Sequence, residues 1–164
     1  MEVSIDYIKV LQFATQAHKD QKRKYTGEDY ITHPIEVARM VIGSQGGDMN
    51  MVLAALLHDV LEDTAVTHES LRKFLHGTLC IEDAEDVLAL VVELTDVYTT
   101  DFFPKLNRKY RKQFEAERLS IASDRAKAIK RADISHNSES INEHDPKFAK
   151  VFLAEKEILL KLIA

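Results

Sequence analysis

Between positions 58 and 63 the chain reads His58-Asp59-Val60-Leu61-Glu62-Asp63, directly behind the apolar run Met51–Leu57. On a helix, His58 lies four residues from Glu62 and Asp59 four from Asp63, while Asp59 and Glu62 are three apart, so all four side chains share one patch. Like charges at these spacings repel by about 0.2–0.5 kcal/mol per pair in water, and by more once desolvated. A divalent cation held by His58 and Asp59 would offset that repulsion. An acidic helix end running into solvent would carry the same residues without one.

Two further positions bear on the choice. His33 precedes Pro34 in Tyr30-Ile31-Thr32-His33-Pro34, at the expected start of a helix. Asp133 shares a helix face with Ala126, Ile129 and Ala132, and a carboxylate buried on such a face needs a partner. A neighbouring helix could supply that partner as a cap or ion pair; so could a metal. Together His33, His58, Asp59 and Asp133 form an H…HD…D set of two imidazoles and two carboxylates. That mixed N/O set suits Mn²⁺, Fe²⁺, Zn²⁺ or Mg²⁺ and leaves coordination positions for water and substrate.

The order and spacing of this set resemble the HD-domain metal-dependent phosphohydrolases. Further stretches resemble the RelA/SpoT-type small alarmone hydrolases: Gln21-Lys22-Arg23-Lys24, Tyr30 to Ala38, Ala54 to Thr64, and Ala132-Asp133 with Asn137 four residues on. The resemblance is strongest over residues 10–140. It implies an all-α HD-domain bundle and one Mn²⁺ on His33, His58, Asp59 and Asp133. It further implies Glu62 and Asp63 acting on the attacking water, Arg23 and Lys24 against the nucleotide, and Asn137 near the ribose. Lys105, Arg108 and Lys109 resemble the family's phosphate-contacting stretch, and Thr95 its nucleotide-side threonine. The implied reaction is hydrolysis of (p)ppGpp to GDP or GTP and pyrophosphate. The chain departs from the family pattern around the Ala-Asp pair: Arg131 stands where an apolar residue is common, and Ile134 where a basic one is. An HD-superfamily nucleotidase or pyrophosphatase with another substrate is therefore an alternative. A helical module that binds metal or nucleotide without turnover is a second.

These residues have to be positioned by a chain of 164 residues with net charge −5, 45% apolar content and one cysteine. That length and apolar content suffice for one domain with a sizeable core, taken as residues 1–164. A single cysteine excludes an internal disulfide framework, and Cys80 reads as a small buried apolar residue. The negative balance argues against non-specific nucleic-acid binding. Nine of the 22 basic residues nonetheless fall in segments 19–24 and 105–112; they would attract a polyanionic nucleotide, or simply form solvated helix faces. The longest apolar run is seven residues, against about 20 for a membrane span. Met1–Asp6 holds two acids and no apolar stretch, so no secretory leader is read and a cytoplasmic setting is expected.

Helical periodicity dominates, and about eight helices are expected. The first, capped by Ser4, places Ile8, Leu11, Ala14 and Ala17 inward. The second starts at Pro34 with Ile35, Ala38 and Val41/Ile42 inward. The third runs from Met49 to about Asp63, apolar all round in its first half and therefore buried. Others cover 67–77, 81–95, 105–119 and 123–137, and the last begins at Asp145-Pro146. Among the other histidines, His18 fits a packed or hydrogen-bonded position at the inward edge of the first helix. Ile158, Leu159 and Leu160 of the last helix would suit either internal packing or a homodimer.

Overall fold

The computed structural model describes residues 4–44 and 46–164; the opening Met1-Glu2-Val3 lies outside them. Nine helical segments occur among the described residues: α1 (Ile5–Ala17), α2 (Thr32–Gly43), α3 (Met49–Leu57), α4 (Val60–Asp63), α5 (His68–His76), α6 (Ile81–Leu94), α7 (Arg108–Ser120), α8 (Asp124–His144) and α9 (Pro146–Leu162). The all-α class is as expected. Backbone contacts group the chain into two compact units, 1–95 and 96–164.

The first unit is organised around α3. Every residue from Met51 to Leu57 is buried, as an all-apolar run requires. α3 packs against α1, α2 and α6, and α5 packs on α6. Burying each large aliphatic side chain here stabilises by about 1.5–3 kcal/mol. The side chains of Asp48 and Thr67 cap α3 and α5, and Gly77 closes α5 where expected. In α6, Ala84, Val87, Leu88, Val91 and Leu94 all point inward.

Three sequence readings are corrected in this unit. The span 49–63 is divided: α3 stops at Leu57, His58 and Asp59 form a turn, and α4 starts at Val60, so the eight expected spans give nine segments. In α1 the buried residues are Val10 and Ala14, continued by His18, while Ile8 is 43% exposed. A stripe at steps of four therefore replaces the expected stripe at steps of three. Cys80 is exposed, not buried, and its sulfur accepts from the Asp83 amide as the N-cap of α6.

Between α1 and α2 the chain doubles back. Lys22 and Asp29 form an isolated antiparallel bridge, the Arg23 amide donates to the Glu28 carbonyl (2.8 Å), and the Tyr30 amide donates to the Gln21 carbonyl (3.1 Å). Gly27 makes the reversal with φ +72°, a conformation other residues rarely adopt.

In the second unit α9 packs on both α7 and α8. Its core joins Ala116, Leu119, Ile134, Leu159 and Ile163. Leu159 is thus internal, while Ile158 is exposed. α8 runs to His144, seven residues beyond the expected end. The buried Glu115 carboxylate accepts the amides of Val97 and Tyr98 (both 3.0 Å) and pairs with Arg118, which anchors the segment leading into the 99–107 loop.

Candidate functional site

His58 and Asp59 sit at the break between two helices. Asp59 has φ −100° and ψ −4°, in the sparsely populated region where turn and active-site residues occur. The break lets α3 bury its apolar residues while turning the acidic stretch outward: His58 is 2% exposed, whereas Glu62 and Asp63 reach solvent. His33, in the first turn of α2, is equally buried.

Three ligand-type atoms from His33, His58 and Asp59 lie within 4.8 Å of one another. The Asp59 Oδ2 is 3.0 Å from His58 Nε2 and 3.6 Å from His33 Nε2. The Nδ1 of His58 is 2.7 Å from the Ala55 carbonyl, which can only accept, so that nitrogen carries the proton. A neutral His58 ring then turns the lone pair of Nε2 toward a carboxylate oxygen. Two acceptors at that distance repel unless a cation or a proton sits with them. Imidazole whose far nitrogen is fixed by a carbonyl is also the usual arrangement of a metal ligand. The donor set therefore fits a divalent metal.

Tyr30, at the entry to α2, reaches the same acids. Its hydroxyl lies 2.7 Å from Asp59 Oδ2 and 3.2 Å from Asp63 Oδ2. The His18 ring stacks on Tyr30 at 4.8 Å between centroids, and the Arg23 guanidinium carbon lies 5.7 Å from the same ring. The Nδ1 of His18 meets Gln21 Oε1 at 2.8 Å, and the Gln21 amide donates to the Asp63 carbonyl. Desolvation pushes the Asp63 carboxyl above its usual range, and the Asp59 charge adds to this. The Tyr30 hydrogen bond pulls the other way, as would a proton gained by His18 or His58. Lys24 leans over Tyr25, its Nζ 3.2 Å from the phenol oxygen.

Within its own unit Asp133 is buried, with a donor on each oxygen: Asn137 Nδ2 at 2.7 Å and Lys130 Nζ at 3.1 Å. Both departures around it have local explanations. Ile134 is 2% exposed in the core cluster, and the Arg131 guanidinium donates to the Ile163 carbonyl near the chain end. Lys105 borders a cavity of about 540 Å³ with Tyr98, Phe102, Phe103 and Phe114. Lys109 is exposed next to the Asn107 cap. Arg108 makes a two-bond pair with Glu155 (2.9 Å each), so an incoming phosphate would compete with a carboxylate. Thr95 ends α6 with its hydroxyl on the Val91 carbonyl (2.8 Å).

Tyr30, Gln21 and Lys130 were given no role of their own by the residue pattern, whereas His18 is packed and hydrogen-bonded as expected. A tyrosine is not counted among the acids and bases, so Tyr30 drops out of a search for spaced charges. Its position three residues before His33 was the available signal. Lys130 lies three residues before Asp133, a spacing that puts the two on one helix face.

The HD-domain profile matches residues 10–159. This chain belongs to the HD-domain family. The human guanosine-3′,5′-bis(diphosphate) 3′-pyrophosphohydrolase MESH1 is 36% identical over 141 residues, covering 85% of this chain and 71% of that protein. The Drosophila melanogaster MESH1 is 32% identical over 145 residues, covering 87% and 73% respectively. A solved structure described as a metazoan ortholog of SpoT that hydrolyzes ppGpp matches this HD-domain chain with a TM-score of 0.82 and 27% identity. That match covers 99% of this chain and 88% of the other. Among the described residues, no helix of this HD-domain protein is long and apolar enough to cross a membrane.

Proposed function

We propose that this protein is a metal-dependent (p)ppGpp hydrolase that adds water across the 3′ phosphoester, giving GDP or GTP and pyrophosphate. The single observation that carries the chemistry is the buried imidazole pair of His33 and His58 closing on Asp59 through their Nε2 atoms, with the His58 tautomer fixed by the Ala55 carbonyl. Similarity to the MESH1 pyrophosphohydrolases supports the substrate. The residues at 131 and 134 that depart from the family pattern serve packing and the chain end, which leaves little reason to look for another nucleotide there.

His33, His58, Asp59 and Asp133 are our proposed ligands for one divalent ion, Mn²⁺ by family resemblance. Such an ion makes water a stronger acid and offsets phosphoryl charge. Asp63, tied to the ligand Asp59 through the Tyr30 hydroxyl, is placed to accept the proton of the attacking water, and Glu62 stands beside it. Arg23 and Lys24 meet the nucleotide, helped by Lys105, Lys109 and an Arg108 drawn away from Glu155. Cationic side chains are needed because the net charge of −5 repels a polyphosphate. Thr95 lies on the nucleotide side and Asn137 near the ribose, where Asn137 also steadies Asp133. We take residues 1–164 to act as one catalytic domain in the cytoplasm.

The test is incubation with ppGpp and Mn²⁺, with EDTA and Asp59→Ala controls, the products separated by anion exchange. GDP and pyrophosphate lost in both controls are expected. Intact ppGpp under all conditions would overturn the substrate assignment, and a panel of other nucleotides would then identify an alternative one. Tight nucleotide binding with no product from any of them would instead mark a binding module.

A further inference from the structure

The acids of the site are tied together by groups that carry no fixed charge. Tyr30 has one hydroxyl proton and two carboxylate neighbours, Asp59 Oδ2 at 2.7 Å and Asp63 Oδ2 at 3.2 Å. Those two residues belong to different parts of the helix break, Asp59 in the turn and Asp63 at the end of α4. A four-residue helix has little rigidity of its own, because nucleating one turn fixes several dihedrals for very few hydrogen bonds. The Asp63 amide donates to the Asp59 carbonyl (2.9 Å), which registers the two backbones, and the carboxylates are left to be held from outside α4.

The segment between α1 and α2 does this at two points. The Tyr30 hydroxyl reaches both carboxylates, and the Gln21 amide grips the Asp63 backbone carbonyl. His18 connects the two grips: its Nδ1 fixes the Gln21 side chain and its ring face stacks on Tyr30. His18 is 2% exposed, and its Nε2 is buried without a hydrogen-bond partner. A side chain placed only for packing would fill that position without an unsatisfied nitrogen. In this protein the imidazole holds two neighbours at once, which an aliphatic residue there could not.

We propose that Tyr30, braced by His18 and Gln21, is a positioning residue that locks the metal-ligand carboxylate of Asp59 and the water-handling carboxylate of Asp63 into one arrangement. The inference rests on the hydrolase reading above. The brace acts on the acids and does not touch substrate. Its loss therefore weakens metal retention and turnover while substrate affinity stays close to native.

Tyr30→Phe tests this, because it keeps the ring against His18 and Arg23 and removes only the hydroxyl. Thermal melting first establishes that the variant is folded. Mn²⁺ affinity is then read without substrate, by the electron paramagnetic resonance signal of free Mn²⁺. Outer-sphere hydrogen bonds to ligands are worth 10–100-fold in metal affinity, so we expect the Mn²⁺ dissociation constant to rise about tenfold. At saturating Mn²⁺, kcat for ppGpp should fall while KM stays within about twofold of native, the split expected when positioning rather than uniform binding is lost. Gln21→Met, which removes the second grip, should give the same pattern more weakly. A folded Tyr30→Phe protein with native Mn²⁺ affinity and native kcat would overturn the brace and leave the hydrolase reading intact. Conversely, native protein that binds Mn²⁺ but leaves ppGpp intact would remove the substrate reading, and tenfold weaker Mn²⁺ binding by Tyr30→Phe would still uphold the brace. Absence of Mn²⁺ binding by the native protein would overturn both.

Discussion

Each of the two units holds a carboxylate with little exposure, Asp59 in the first and Asp133 in the second, and they neutralise them differently. In the first, Asp59 is met by two imidazoles and a phenol, groups with no permanent charge. In the second, Asp133 is met by the ammonium of Lys130, which also lines a pocket with Lys112, Lys156, Asp96, Glu115 and Glu155. Lys112 pairs with Asp96 at 3.3 Å, and Glu155 is held below its usual range, first by its hydrogen bonds from Arg108. The second cluster brings its own cations. The first is arranged so that a cation from outside improves it. Two groups of acids thus serve different ends, and the charge of their partners decides which.

The largest effect that would break this contrast is at the imidazoles. His58→Ala should abolish Mn²⁺ binding, measured by calorimetry, and reduce ppGpp hydrolysis to background; full activity would remove the first cluster from the chemistry. Asp63→Asn comes next. It should lower kcat by about 10²–10⁴-fold, the usual contribution of a general base, and still bind Mn²⁺. Glu62→Ala, measured alongside, tells which of the two acids carries the proton.

On the other side of the comparison, Lys130→Met takes the ammonium away from a buried carboxylate and should cost about 3 kcal/mol in urea denaturation. If Asp133 is a metal ligand, added Mn²⁺ should recover part of that loss, because a ligand that binds only the folded state stabilises it. The smallest effect is at Lys156, whose ammonium is pushed down to about 8, mainly by desolvation and then by Lys130. The unfolded chain holds this proton up to about pH 10.4, so between pH 8 and 10.4 it binds more protons than the folded state. Stability from Lys156 therefore rises with pH across that window and is lost as pH falls through 8. Lys156→Met should be the more stable protein near pH 7, on the order of 1 kcal/mol, with the advantage shrinking toward pH 10.

Much of this was open to a reader of the chain alone. The apolar run 51–57 had to be buried, and the cap at Ser4 acts where its residue type said it would. The grouping of His33 with His58 and Asp59 was visible as motif and order. The helix break at His58–Asp59 was not, because nothing between 49 and 63 is a glycine or proline, and periodicity continues smoothly through it. Cys80 was misread for a related reason: average burial describes a residue type, whereas this sulfur is an exposed helix cap.

What the sequence determined by itself was local and compositional: which segments are helical, which helix is buried on all sides, and which acids and histidines are available for a metal. Tertiary structure alone decided the partners of those groups. Tyr30 is 29 residues from Asp59 and Gln21 is 42 from Asp63. Hydrogen bonds over such separations depend on how α1, α2 and α3 pack, and no periodicity in the chain encodes them. An imidazole becomes a ligand, and a carboxylate a base, only when packing has removed water and chosen the neighbours.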